Sequence, residues 1–265
     1  NFDIVITKLN QNGSGLVGSK RIGGTEDDGA NISQFGSNGP QSLERNYGDE
    51  ARSEVIIDGA GNIYLASCTK SPNFPLVSAF QTAKGADQDG VVLRMDPNVS
   101  ALSFSSYLGG NGDDAAYVLS INPGNGQLYV AGGTASSDFP GNKAGTIGQN
   151  FAGNIDGYVA VISGNSLIRS TYLGTSGIDQ VYGIQFDRFG FPYVMGQTTG
   201  NWPVVNAAYV NAGAKQFISK IQPDLSNWVY STTFGKAASL PSISPTAFLV
   251  DRCENVYVSG WGGGC

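Results

Sequence analysis

The 265-residue sequence contains no histidine. That absence removes the commonest general base and the commonest transition-metal ligand. It excludes Ser–His–Asp and Cys–His nucleophile activation, and His-ligated zinc, within this chain. Charge is scarce as well: Asp, Glu, Lys and Arg make up 14% of residues, against about 25% in an ordinary globular domain. The net charge is −6, and no Lys/Arg cluster supplies the basic footprint that nucleic acid or an anionic membrane surface requires. There are three cysteines, an odd number that is no disulfide framework. Cys68 lies inside an apolar run and reads as a small buried hydrophobe. Cys253 and Cys265 flank the last apolar run, where pairing stays open. No apolar run is long enough to span a bilayer, and there is neither a signal-peptide pattern nor an initiator Met. The sequence is therefore read as a portion of a longer chain whose localisation signals lie elsewhere.

Glycine, in contrast, is plentiful: 38 residues, accompanied by 13 Phe, 12 Tyr and 3 Trp. So much glycine without a collagen period implies many tight turns, and the aromatics supply enough apolar surface for a substantial core. Four tyrosines, Tyr64, Tyr129, Tyr193 and Tyr257, stand 65, 64 and 64 residues apart. Each follows a turn residue, Asp58, Asn122, Asp187 and Asp251, at the same period. Self-similarity of this kind marks an array of like units.

Each unit has the same order. A first apolar run, such as Val55–Asp58 or Gly183–Asp187, reaches a turn. A second run carries the tyrosine, as in Leu128-Tyr129-Val130-Ala131. A connection then bears an aromatic–proline pair: Phe74-Pro75, Phe139-Pro140 and Trp202-Pro203. Proline interrupts pairing there, and the aromatic is expected to plug a seam between units. The third run (89–95, 156–162, 216–221) and the fourth (102–108, 167–173, 228–234) follow, the latter ending at Gly109, Gly174 and Gly235. These runs have strand length, and no segment sustains a 3.6-residue period, so almost no helix is predicted. Four meandering strands per unit describe the blade of a β-propeller, in which stacking neighbours supply the core.

The predicted architecture is an all-β propeller of four-stranded antiparallel blades in one domain, residues 1–265. It comprises a half-blade (1–24), an insertion (25–50), blades at 51–110, 111–175 and 176–235, and a half-blade (236–265). The first half-blade matches third and fourth runs; the last matches first and second runs. Joining them would close a four-bladed ring, but a cut through a longer propeller gives the same phase and is preferred, four blades being the small end of the range. The insertion shows as a spacing of 86 between Asp3 and Asp89 and is rich in Gly, Asn and Ser. It is expected to be a surface loop, the kind of segment that often carries function.

The runs Ser106-Tyr107-Leu108-Gly109-Gly110-Asn111-Gly112-Asp113-Asp114, Asp58-Gly59-Ala60-Gly61-Asn62-Ile63-Tyr64 and Ser137-Asp138-Phe139-Pro140 resemble the bacterial SBBP (seven-bladed β-propeller) repeat, over nearly the whole chain. The resemblance implies a propeller inside a large secreted or outer-surface protein, often from gliding, type IX-secreting bacteria, with adhesive modules nearby. It carries no general catalytic motif. The fourth unit departs from it, with Gly235-Lys236-Ala237-Ala238-Ser239 in place of the Gly-Gly-x-Gly-Asp-Asp stretch.

The acidic loops Glu26-Asp27-Asp28 and Asp113-Asp114, with Asp179 alone in the third, are the foremost constellation. Asp27, Asp28, Asp113 and Asp114 are candidate calcium ligands; alternatively these carboxylates cap turn N–H groups. Asp58, Asp187 and Asp251 read as turn formers, and Asp89 and Asp156 as acceptors for strand-end N–H groups. Catalysis would require groups converging on the axis, yet the first runs offer only Gln185 and Ser120 as polar examples. Paired carboxylates for glycoside cleavage do not stand there, which leaves Glu44, Asp49 or Glu50 of the insertion. Trp228 and Trp261 are candidate glycan platforms, and Trp202 is expected to pack. The role expected is a non-catalytic extracellular scaffold or binding module, with no cofactor unless calcium. Its partner is an unidentified surface protein or glycan. A glycan-binding module and a secreted polysaccharide hydrolase are the alternatives.

Overall fold

The computed structural model describes residues 1–31, 42–46, 48–85 and 87–262. The described residues form sixteen strands and a single 3₁₀ turn at Asp49–Ala51. Strands β1 (Ile4–Leu9) and β2 (Leu16–Ile22) form an antiparallel pair. The first complete blade contains β3 (Glu54–Ile57), β4 (Ile63–Thr69), β5 (Asp89–Met95) and β6 (Leu102–Leu108) in that order. The second contains β7 (Asp114–Ile121), β8 (Leu128–Thr134), β9 (Asp156–Ser163) and β10 (Ser166–Leu173). The third contains β11 (Asp179–Phe186), β12 (Pro192–Thr198), β13 (Ala214–Ile221) and β14 (Trp228–Ala237). A final pair, β15 (Ile243–Val250) and β16 (Val256–Gly262), follows. Three four-stranded meanders between two two-stranded pairs, all antiparallel, fit a propeller-like arrangement of blades. Among the described residues β1 and β16 share no sheet.

The turn acids explain where the strands reverse. Asp58 Oδ1 accepts hydrogen bonds from the N–H groups of Ala60 and Asn62, both at 2.9 Å. Asp187 serves Phe189 and Phe191 likewise, and Asp251 serves Cys253 and Asn255. Gly61, at φ +83°, occupies the left-handed conformation that the first of these hairpins needs. A side-chain acceptor at each reversal thus fixes the register of the first two strands.

Core formation occurs between blades. Strand β7 packs on β4 and β5, β11 on β7 and β8, and β15 on β11. One apolar cluster joins Val92, Phe104 and Leu108 of the first blade to Leu119, Val130 and Tyr158 of the second. The aromatic–proline residues lie in these seams as expected. Phe139 packs 4.2 Å from Tyr158, and Trp202 stacks on Phe217 at 3.5 Å and 4°. The Phe74 and Phe139 N–H groups donate to the hydroxyls of Tyr107 and Tyr172, which donate on to Ser71 O and Ser136 O. Each blade connection is therefore pinned by both apolar contact and a relayed hydrogen bond.

The described parts of the insertion are partly exposed, at Thr25, Glu26, Gly48 and Glu50, and partly buried. Asp28 already bridges Thr69 of β4, as the first strand of a blade should, so the insertion splits that strand after Asn31. Residues 32–41 and 47 lie outside the described set. In the rest of the segment Ser42, Leu43 and Asp49 are buried, Asp49 completely. Its polar residues gain there the partners that water would otherwise supply, and Leu43 joins the apolar cluster of the second and third blades. Cys68 is buried and unpaired, and Cys253 is exposed with a free thiol. Cys265 lies outside the described residues.

Candidate functional site: a plugged axis

The innermost strands β7, β11 and β15 each carry a register break at the same repeat position, between Ala116 and Val118, Val181 and Gly183, and Pro245 and Ala247. The residues bulged out are Tyr117, Tyr182 and Thr246. A β-bulge re-aims the extra side chain, and here Tyr117 and Tyr182 stack on each other, 5.6 Å apart at 11°. The insertion enters the chain at the equivalent place in the first blade and closes over this pair.

Asp49 anchors it. Its Oδ2 accepts from the N–H groups of Arg45 and Asn46, both at 2.8 Å, and from the Tyr182 hydroxyl at 3.1 Å. Its Oδ1 accepts from Arg52 Nε at 2.9 Å. The Arg52 guanidinium lies 4.6 Å over the Tyr182 ring, adding a cation–π contact in a site screened from water. The Tyr117 hydroxyl donates to Leu43 O at 2.8 Å and accepts from Asn31 Nδ2 and Gln180 Nε2, each at 3.1 Å. Asn46 and Gln197 exchange amide hydrogen bonds at 2.7 and 2.9 Å. Burial pushes both tyrosine hydroxyls well above their ordinary pKa, so they remain neutral donors.

Beside the plug lies a cavity of about 310 Å³ lined by Arg52, Glu54, Tyr117, Tyr182, Gln185 and Thr246, among others. Glu54 Oε2 accepts from Leu119 N at 2.7 Å, and burial raises its pKa. The cavity presents hydrogen-bonding groups of both kinds. Tyr117, Tyr182, Gln180, Arg52 and Glu54 escaped the sequence reading. The signal for the tyrosines was their spacing of 65 residues.

Of the acids singled out in the insertion, only Asp49 reaches the axis. Glu44 and Glu50 line a different cavity, of about 540 Å³, together with Asp3, Asp28 and Leu65. The calcium candidates divide between two roles. Asp27 and Asp113 accept from the N–H groups of Phe2 (2.9 Å) and Gln88 (3.1 Å) in the preceding blade. Asp28 and Asp114 turn the other way, taking Gly24 N and Gly110 N (both 2.7 Å) and the hydroxyls of Ser71 and Ser136. Adjacent strand residues face opposite sides, so neighbours in sequence do not converge on one ion. Among the described residues no group of three or more Cys, Asp or Glu is placed to hold a metal. Trp228 is half-buried and meets Trp202 edge-on at 5.9 Å, whereas Trp261 is 66% exposed on β16. They stand on different sheets and form no joint platform.

The repeat itself is recognisable from the residues at the seam between the second and third blades. Residues 168–202 match the SBBP beta-propeller repeat. The matched stretch runs from Ile168 on β10 through β11 and β12 to Trp202, so the SBBP unit straddles a blade boundary and includes the seam tryptophan. No curated protein matches the chain.

Proposed function

We propose that this chain is a non-catalytic scaffold or binding module of a larger bacterial surface protein, acting outside the cell in adhesion or surface assembly. The observation that carries this reading is the buried hydrogen-bonded cluster around Asp49. Asp49, the acid that reaches the centre, has both carboxylate oxygens engaged by Arg45, Asn46, Arg52 and Tyr182, which makes it a structural anchor. An array of blades packed through shared apolar clusters suits a spacer or a platform for outward loops. The test is to screen the purified chain against cell-envelope proteins and polysaccharides while following polymer turnover. Saturable binding without turnover is expected. Turnover lost in Glu44→Gln or Glu50→Gln would replace this reading by the hydrolase.

One observation favours glycan binding as the second reading. Tyr257 and Trp261 are both largely exposed on β16, and exposed aromatic faces are sugar-stacking surfaces. Retention on a polysaccharide that Trp261→Ala abolishes, with Trp228→Ala as the comparison, would establish it. Calcium belongs to the proposal only as an accessory at the seams.

A further inference from the structure

The seam between the first and second complete blades places two carboxyl groups against one glycine. A methyl carbon on Gly109 would lie 2.6 Å from Asp89 Cγ and 2.8 Å from both Asp89 Oδ1 and Asp114 Oδ2. Asp89 opens β5 and Asp114 opens β7, so the fold brings them together from different blades. Both are completely buried. Asp89 Oδ2 accepts from Gly85 N (3.0 Å) and Gln81 Nε2 (3.2 Å), while Asp114 Oδ2 accepts from Gly110 N and Ser136 Oγ. Among the described residues neither Asp89 Oδ1 nor Asp114 Oδ1 accepts a hydrogen bond of good geometry, although the Thr134 side chain lies against Asp114.

The other seams of the same chain show what is missing. At the first seam, Asp3 and Asp28 face Gly23 in the same way, and there Arg21 Nε lies 2.9 Å from Asp3 Oδ2. The residue of β6 equivalent to Arg21 is Tyr107, whose hydroxyl is directed at Ser71 O. At the last seam the neutral amide of Gln216 lies against Gly235. It is satisfied when its nitrogen donates to Phe234 O at 3.1 Å and its oxygen accepts from Ser242 N at 2.8 Å. The seam between the second and third complete blades repeats the uncompensated acids: a methyl carbon on Gly174 would lie 2.1 Å from Asp156 Cγ, Asp156 and Asp179 are completely buried, and neither forms an ion pair among the described residues. The first and last seams thus hold an acid with a cation or a neutral amide, and the two between them hold neither.

The Asp89–Asp114 seam has no such cation. The charged groups facing it are Lys84, Asp87 and Asp113 from the flanking loops, with Lys70 beyond Asp113. Thr134 and Ser136 face it from β8 and the segment that follows. Among the described residues no Lys or Arg forms an ion pair with either carboxyl. Two carboxylates desolvated against one glycine disfavour carrying two charges, and a gap too small for a methyl group leaves no room for a hydrated ion.

We propose that Asp89 and Asp114 together bind one proton at neutral pH, which makes this seam a proton-binding site whose loss on alkalinisation loosens the contact between the first two complete blades. The proton resides on one of these two carboxyls, and Arg21 and the Gln216 amide remove the need for it at the first and last seams. Burial is also the leading cause that raises Asp89 to about 7 and Asp114 well above the ordinary carboxyl range. A carboxyl raised on folding stabilises below its ordinary pKa of about 4, and that contribution disappears as pH rises through about 7.

The test is a denaturation series of the whole chain from pH 5 to pH 9. Stability should fall through neutrality, where a protein governed by ordinary surface carboxylates is flat. Asp89→Asn should flatten part of that fall and unfold later than the wild type at pH 9. Should the variant not fold, wild-type calorimetry in two buffers of different ionisation enthalpy at pH 6 gives an independent answer. Unfolding should then release on the order of one proton from this seam and a comparable number from the Asp156–Asp179 seam, where burial likewise raises Asp156 to about 7. No fall in stability between pH 6 and pH 9, or no proton release, would overturn the proposal. So would a calcium-dependent rise in melting temperature at pH 8 that Asp89→Asn abolishes, since the occupant would then be a metal ion.

Discussion

Replacing Asp49 by Ala tests whether the insertion is a structural plug. The carboxylate is completely buried and accepts four hydrogen bonds, from Arg45 N, Asn46 N, Tyr182 Oη and Arg52 Nε. Truncation leaves the Arg52 guanidinium without its counter-ion, and breaking a buried pair in this way costs about 3–5 kcal/mol. Each abandoned backbone N–H adds about 1 kcal/mol or more where water cannot reach it. Against this, the Arg52 side chain is 13% exposed and can recover some hydration through the neighbouring cavity. A net loss of about 4 kcal/mol follows, equivalent to a fall in melting temperature on the order of 10 °C for a chain of this size. Tyr182→Phe should cost about 1 kcal/mol, because one donor disappears while the stacking on Tyr117 survives. Urea titration of Asp49→Ala, of Arg52→Met and of the double variant completes a cycle. The coupling between Asp49 and Arg52 should be about 1–3 kcal/mol. A loss below about 1 kcal/mol for Asp49→Ala, with an unchanged denaturant slope, would refute the plug and return the insertion to an ordinary loop.

Lys220→Met should cost about 3 kcal/mol, because Lys220 Nζ lies 2.7 Å from the buried Asp187 carboxylate and 2.8 Å from Glu254, and its removal leaves Asp187 unpaired; thermal unfolding reads this directly. Trp202→Ala should cost about 3–5 kcal/mol through loss of the stack on Phe217. Trp261→Ala, at an exposed site, should lie within about 0.5 kcal/mol of the wild type in the same assay. Gly109→Ala forces a methyl group against Asp89 and Asp114 and should cost about 1–3 kcal/mol by overpacking, whereas Gly126→Ala, at an uncrowded turn with φ +74°, reports the backbone penalty alone.

Strand order and blade count were legible because they rest on local signals repeated in every unit. The short apolar runs mark the strands, and the Asp or Asn that opens each turn, Asp58, Asn122, Asp187 and Asp251, sets where they reverse. Such information survives in a single sequence because each repeat restates it. The aromatic–proline position was legible for the same reason: Phe74, Phe139 and Trp202 recur in phase, and each is found in a seam.

The axis was not legible, for reasons that are equally physical. Glycine, serine and asparagine in a long insertion indicate weak propensity for helix or strand, which says nothing about whether the segment is buried. Burial of the insertion depends on partners more than a hundred residues away, Gln180 on Leu43 O and Tyr182 on Asp49. Those partners are bulged residues, displaced by one from the alternation that the strand pattern predicts, so periodicity assigns them to the wrong face. The same displacement that hid Tyr117 and Tyr182 from the pattern is what aims them at the axis. In a repeat array, the positions that break the local rule in several units at once are therefore the ones to inspect for a shared centre. The insertion entering the first blade where Tyr117 and Tyr182 stand in the next two obeys that rule, for it supplies from outside the repeat what the first blade lacks within it.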